Sequence, residues 1–196
     1  MFKKSILLLL ALLLADCTAR PTPIPKPSAD QIDVEEQAVY AAVLKQMYSA
    51  STFVIMDTTT TDLSGIGNSN QTIDYVLQNM HDVTQATVDS FRGRNEAAHP
   101  ILRDMDLGAA YILLSQVQRN QIFAQNQSGW EVFYSNYPNT PGITTLSSVG
   151  FNTTFDQALV YIGTQSNWLA GAGYYILLKK GNGVWTIDQK VITWVS

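Results

Sequence analysis

The residues best suited to acid, base or metal chemistry lie in the middle of the chain. The stretch Asn95-Glu96-Ala97-Ala98-His99 contains a Glu-x-x-His spacing, which places Glu96 and His99 on one face if the segment is helical. Di-iron bundles use this motif twice, together with further glutamates, and the sequence contains no second copy. We therefore interpret Glu96 and His99 as solvated residues at a helix end, and we predict no metal site.

Asp104 and Asp106 form an acidic pair a few residues later. Their spacing lacks the other ligands and the terminal glutamate of an EF-hand loop, so we expect a loop or cap role. Paired with Glu96, either aspartate would suit a cell-envelope hydrolase, which stays open as an alternative function. The chain lacks a G-x-S-x-G elbow and an S-x-x-K motif, and its glycine pairs lack a phosphate-binding pattern. We predict neither a nucleophile nor a cofactor.

Aromatic side chains suggest ligand binding instead. Trp168 lies in a polar segment, where a large exposed ring would mark a contact surface. Tyr174 and Tyr175 are neighbours in a predicted strand and therefore point to opposite faces of the sheet. Trp168, one of these tyrosines and Tyr137 are our candidates for lining a groove that takes a peptide or a glycan.

The only cysteine of the chain, Cys17, follows an N-terminal export signal. Lys3 and Lys4 precede an apolar run from Ile6 to Ala15. This run is shorter than the roughly 20 residues that a membrane-spanning helix needs, so we predict a signal peptide over residues 1–16.

The end of that signal, Leu14-Ala15-Asp16-Cys17, resembles the lipobox of bacterial lipoproteins. The resemblance implies that Cys17 becomes a lipidated N-terminus, anchored in a bacterial membrane on its periplasmic or cell-surface side. Prolines at alternate positions from Pro21 to Pro27 predict an extended tether over residues 17–30. Cleavage after Ala19 is the alternative, and it would discard the cysteine.

Composition restricts the partners of the remaining chain. The 16 acidic and 12 basic residues give a net charge of −4, and the basic residues are scattered, which argues against nucleic acid as a partner. No cysteine follows Cys17, so the fold must rely on its hydrophobic core. Residues 31–196 are enough for one domain. The candidate partners are the membrane, through the lipid, and a peptide, glycan or envelope protein.

Hydrophobic periodicity divides this domain into a helical half and a strand half. Apolar residues at helical spacing predict helices at about 33–51 and 72–91, and Phe53–Met56 favours a strand. The region 100–137 is mixed, with a buried strand in 107–117 and a short helix at 117–124. Four strands are predicted at 144–151, 157–163, 174–180 and 184–196.

The last two strands carry the clearest local signal. Lys180-Gly181-Asn182-Gly183 predicts a tight hairpin, because an Asn-Gly pair accepts the positive φ angles of such turns. The apolar side chains of the last strand change from odd to even positions between Ile187 and Ile192. This change predicts a bulge near Gln189. The pattern as a whole predicts an α+β fold with N-terminal helices packed on a curved antiparallel sheet, formed mainly by the C-terminal half.

The segment Trp130–Ser196 resembles a group of uncharacterised bacterial exported proteins. They share its Tyr-Pro turn, its Val-Gly-Phe strand and a Gly-Tyr-Tyr hairpin that ends in Trp-x-Ser. The resemblance implies no activity, and such proteins often carry cysteines at the positions of Ser166 and Ala170. The helix-then-hairpin order is also similar to cystatin and NTF2-like architectures. We interpret the chain as a tethered binding domain, with a hydrolase or a purely structural envelope component as alternatives.

Overall fold

The structure, a computed structural model, describes residues 28–63, 69–103, 105–124 and 128–196. The predicted signal at 1–16, the lipidation site Cys17 and most of the predicted tether lie outside these ranges. Among the described helices, none is long and apolar enough to cross a bilayer.

Five helices and a seven-stranded sheet make up the described chain, which confirms the α+β class. The helices are α1 (Ala29–Met47), α2 (Ser69–Asn79), α3 (Gln85–Arg94), α4 (Gln116–Phe123) and α5 (Gly129–Asn136). The strands are β1 (Thr52–Met56), β2 (Ala110–Leu114), β3 (Ile143–Leu146), β4 (Gly150–Phe151), β5 (Gln157–Asn167), β6 (Ala170–Gly181) and β7 (Val184–Val195). Most of the sheet comes from the C-terminal half, as predicted.

The sheet is mixed rather than purely antiparallel. Its order is β2-β1-β3-β5-β6-β7, with β4 paired to β5. The pairs from β3 to β7 are antiparallel, as predicted, but β1 lies parallel to both β2 and β3. Parallel neighbours need long crossover connections. Here α2 and α3 connect β1 to β2, and α4 and α5 connect β2 to β3.

Helix α1 covers one face of the sheet. Ser28 caps its first turn by accepting a hydrogen bond from the Gln31 amide, and α1 therefore begins and ends earlier than predicted. A buried apolar stripe on α1 packs against one side of β1, β5 and β6. The stripe consists of Val39, Tyr40, Val43 and Leu44.

The other four helices lie on the opposite face. Ile73, Val76 and Phe91 of α2 and α3 pack on β5 and β6 through Leu159 and Leu177. A separate apolar cluster joins α4 and α5 to the other end of the sheet, where Ile122, Trp130 and Phe133 meet Val54 and Ile143. The two clusters are distinct, and part of the central sheet surface lies between them.

One predicted helix, at 72–91, is wrong because it is two helices with a break between them. Asp82 has a φ of 60°, outside helical geometry, and Thr84 caps α3. Gln157 of β5 holds the break: its Oε1 accepts from the Thr84 amide and the Thr87 hydroxyl, and its Nε2 donates to the Asp82 carbonyl. Gln157 is only 5% exposed, so this buried amide directs the chain away from a single helix.

The β6–β7 hairpin forms as predicted. Asn182 and Gly183 have φ angles of 51° and 80°, which is the geometry that favours Asn-Gly in a two-residue turn. A register shift follows in β7, where Leu177 pairs with Gln189 and Leu178 pairs with Ile187. The predicted bulge near Gln189 is therefore confirmed.

Candidate functional site

The acidic and histidine candidates do not form a site in the described chain. Helix α3 ends at Arg94, so the segment is not helical and Glu96 and His99 do not share a helical face. Both residues are exposed shortly after the helix end, in agreement with their interpretation as solvated residues. The His99 backbone instead bridges to Thr59. Asp106 accepts a hydrogen bond from the Gly108 amide, which is the loop role expected for it.

Asp104, the other member of the acidic pair, lies outside the described residues. Within the described ranges, no group of three or more His, Cys, Asp or Glu side chains is arranged to hold a metal ion.

The four predicted aromatic site residues are not brought together in one groove. Trp168 is 48% exposed and sits edge-on to Phe123, with ring centroids 5.6 Å apart. Tyr137 lies beside Phe133 at 5.2 Å. Tyr174 lies on the α1 side of the sheet.

Tyr175 is fully buried on the other face of the sheet, as the strand alternation predicts. Its ring packs between Phe91 and Tyr161, with both centroids 5.5 Å away. In this structure Tyr175 is therefore a core residue, and it does not line a surface groove.

A groove that was not predicted opens on the sheet face opposite α1, and we call it the Trp194 groove. Its volume is about 320 Å³, at the lower end of the range for small-ligand sites. Strands β3 and β5 form its floor, α4 flanks it on one side and Trp194 of β7 on the other. The polar or aromatic side chains that line it include Thr60, Asp62, Gln116, Arg119, Gln165 and Trp194.

Glycines determine how Trp194 sits in this groove. A Cβ on Gly173 would lie 2.0 Å from the indole Nε1, and a Cβ on Gly171 would lie 2.9 Å from Cζ3. The ring therefore rests directly on the backbone of β6, at a distance that only glycine permits. Glycine inside a strand often marks a place where another group approaches the backbone closely, and here that group is Trp194.

A hydrogen bond also holds the Trp194 ring in its orientation on the β6 backbone. Trp194 Nε1 donates to the Tyr161 hydroxyl over 2.7 Å, and Tyr161 is 2% exposed. Burial raises the pKa of Tyr161, the bond from Trp194 opposes that shift, and the charge of Asp62 adds to it. The hydroxyl is therefore held in its neutral form. Trp194, which is half-buried, has a fixed position and orientation.

Arg119 supplies the positive charge of the groove. Its guanidinium lies 5.5 Å from the ring centroid of Phe123, which also contacts Trp168 and Trp130. This arrangement holds a long side chain in place at low entropic cost. Trp168 is thus connected to the groove indirectly, through Phe123 and Arg119, although it is not one of the residues that line it.

The groove combines an immobile aromatic ring with hydrogen-bonding groups of several kinds. Amides are provided by Gln116 and Gln165, hydroxyls by Thr60 and Thr145, a carboxylate by Asp62 and a guanidinium by Arg119. No histidine or cysteine occurs among the described lining residues. The arrangement suits recognition of a polar ligand that has one apolar face.

Sequence reasoning missed this site because Trp194 was not among the aromatic candidates. One signal was present: two glycines spaced by one residue, in a strand that pairs with a strand carrying tryptophan, indicate an aromatic ring lying on the backbone. No known family model, curated protein or solved structure significantly matches this chain.

Proposed function

We propose that this protein is exported, anchored through a lipid on Cys17 in a bacterial membrane, and binds a glycan in the Trp194 groove without converting it. The fixed Trp194 indole, beside amide, hydroxyl and charged groups, is the observation that carries the binding proposal. A pyranose ring is complementary to such a surface. Its C–H face packs on an aromatic ring, and its hydroxyls hydrogen-bond with the surrounding polar groups.

The groove favours a glycan over a peptide. A peptide that binds by strand addition needs a free sheet edge, where its backbone groups can pair. The floor of the groove is β3 and β5, and each of these strands is paired on both sides. The other lining groups are mostly polar side chains, which suit hydroxyl-rich ligands.

The position of the groove agrees with an anchor at the N-terminus. Glu35, near the start of α1, binds Lys180 and Trp185 beside the β6–β7 turn. Tyr48, just after α1, bonds Thr164 at the opposite end of the sheet, next to the groove. The 19-residue helix α1 spans about 28 Å. A tether joining at the start of α1 would leave the groove at the end of the domain far from the lipid.

The binding proposal can be tested with the anchored protein, extracted in detergent and applied to immobilised glycans. Trp194→Ala should lower the affinity for a bound glycan about tenfold or more, because it removes the stacking surface. Trp168→Ala is the matched control, since it removes another partly exposed indole that does not line the groove. Circular dichroism checks that both variants are folded.

Two results would contradict the proposal. One is the absence of binding to any glycan in the set. The other is a loss of glycan affinity that is equal in both variants or that occurs in Trp168→Ala alone. Such a loss would indicate a contact surface at the tip of the β5–β6 hairpin.

The anchor is tested by the intact mass of protein from the membrane fraction of its own host. A mass for the chain from Cys17 onward plus acyl chains, absent from Cys17→Ala, is the expected result. Unlipidated protein that begins at Arg20, in the soluble fraction, would instead support cleavage after Ala19.

A further inference from the structure

We infer that the glycan taken by the Trp194 groove is acidic, and that a sugar carboxylate pairs with Arg119. The inference rests on the proposed glycan binding and narrows it to one class of saccharide, those with a uronic acid or another carboxylate substituent. It depends on three features of the described residues: the absence of an ion pair at Arg119, the cap at the start of its helix and the single positive charge among the lining residues.

Arg119 differs from the four cations of the described chain that form ion pairs. Arg92, Arg94, Lys179 and Lys180 each form an ion pair with an acidic side chain. Arg119 forms no ion pair with any described residue, although it is half-buried against Phe123. A planar guanidinium that lines a groove and has no carboxylate partner of its own can bind a ligand carboxylate in bidentate fashion.

The start of α4 is capped, and the cap fixes the backbone from which Arg119 extends. Ser115 and Gln118 form a capping box, in which each side chain accepts from the other residue's backbone amide. The Arg119 amide donates to the Ser115 carbonyl over 2.9 Å. Gln116 Nε2 donates to Asn120 Oδ1 over 2.7 Å, which fixes the neighbouring groove side chain. Binding would therefore need little ordering of the protein.

The charge of the groove favours a single carboxylate over a phosphate. Arg119 is the only cation among the described lining residues, and Asp62 is the only acidic side chain among them. A doubly charged phosphate would therefore meet a single positive charge, whereas one carboxylate matches that charge and the planar shape of the guanidinium.

Matched glycan pairs test the inference directly. Each pair consists of a neutral oligosaccharide and the same oligosaccharide after oxidation of its C6 hydroxymethyl groups to carboxylates. The full-length anchored protein is used in each binding measurement. We expect the wild type to bind the acidic member of its preferred pair at least tenfold more tightly. That preference should shrink as sodium chloride rises from about 50 to 500 mM, because the pair is partly exposed to salt.

Arg119→Gln should abolish the preference, so that the ratio of the two affinities falls to about one. Arg103→Gln is the matched control, since Arg103 is an exposed arginine that does not line the groove. Equal affinity of the wild type for both members, or a preference that survives Arg119→Gln, would overturn the inference and leave glycan binding intact. Failure to bind either member of every pair would overturn both.

Discussion

The indole of Trp194 and the phenol of Tyr161 are joined by a 2.7 Å hydrogen bond between a groove residue and a core residue. Tyr161 contacts the buried ring of Tyr175, and both belong to the cluster under α2 and α3. The orientation of a ligand-facing ring is therefore set by side chains inside the domain. Tyr161 is in this sense a positioning residue, and it can be tested separately from the ring.

Replacing Tyr161 with phenylalanine removes the acceptor and keeps the core ring. We expect the free energy of unfolding to fall by about 0.5–1.5 kcal/mol, the usual net value of one hydrogen bond. Glycan affinity should fall several-fold, because Trp194 then samples other orientations. Urea denaturation and glycan titration measure the two effects. An unchanged glycan affinity would show that the contact with Gly171 and Gly173 is enough to hold the Trp194 ring.

The contact between Trp194 and the glycines of β6 can be tested at Gly173. A methyl group there would meet the Trp194 ring at 2.0 Å, so Gly173→Ala must displace the indole and break its bond to Tyr161. We expect a loss of about 1–3 kcal/mol in unfolding free energy and loss of glycan binding.

Gly181→Ala is the control for this change. Gly181 is also in β6, and a Cβ there meets nothing within 4 Å. The unfolding free energy of Gly181→Ala should stay within about 0.5 kcal/mol of the wild-type value, and the variant should still bind glycan. If Gly173→Ala binds glycan as the wild type does, the indole position does not matter for recognition.

The features that could be predicted from the sequence are those set by neighbouring residues. The turn at Asn182-Gly183 depends on backbone preferences of two residues, and the bulge in β7 follows from the parity of its own side chains. The break between α2 and α3 was missed because it depends on Gln157, which reaches Thr84 from 73 residues away. The hydrophobic periodicity of one segment does not reveal a hydrogen-bond partner that lies far away in the sequence.

The candidate site was missed for a similar reason. Its residues come from α4, the segment after β1, and strands β3, β5 and β7, and only the order of strands brings them together. Trp168 drew attention because its polar neighbours predicted exposure, which is correct at 48%. Exposure alone did not indicate which tryptophan borders a groove, since Trp194 looks like an ordinary strand residue until its glycine neighbours across the sheet are known.

Glu36 connects α1 to α3 and to the segment before β4. One carboxylate oxygen accepts from Arg94 Nη2 at 2.9 Å and from the Val149 amide at 2.7 Å. Arg94 Nε is buried and has no hydrogen-bond partner in the described part of the chain. Glu36→Gln would leave the Arg94 charge uncompensated in a mostly buried position. We expect the unfolding free energy to fall by about 2 kcal/mol in urea denaturation.

The exposed pair of Arg92 and Asp74 is the control for that prediction. Their side chains are 45% and 65% exposed, against 28% and 16% for Arg94 and Glu36. Asp74→Asn should therefore cost less than about 0.5 kcal/mol, because solvent screens the pair. Equal effects of the two substitutions would show that Glu36 does not act through burial.

Tyr175 gives the domain a built-in sensitivity to alkaline pH. Its hydroxyl is buried and has no hydrogen-bond partner among the described residues. Burial raises the pKa of Tyr175, and the neighbouring Tyr161 raises it further. Below the unfolded pKa of about 10, tyrosine is neutral in both states, and this residue makes no difference to the pH dependence of folding.

Above that pKa, the unfolded chain loses the Tyr175 proton while the folded chain keeps it. The unfolded state then binds fewer protons, so the free energy of unfolding falls as pH rises, by about 1 kcal/mol from this residue at pH 11. Tyr175→Phe should remove that share of the decline. At pH 8 it should be as stable as the wild type or up to about 1 kcal/mol more stable, because an unpaired buried hydroxyl is lost. Urea denaturation from pH 8 to 11 measures both effects, and parallel pH curves for the two proteins would show that the Tyr175 hydroxyl reaches water in the folded state.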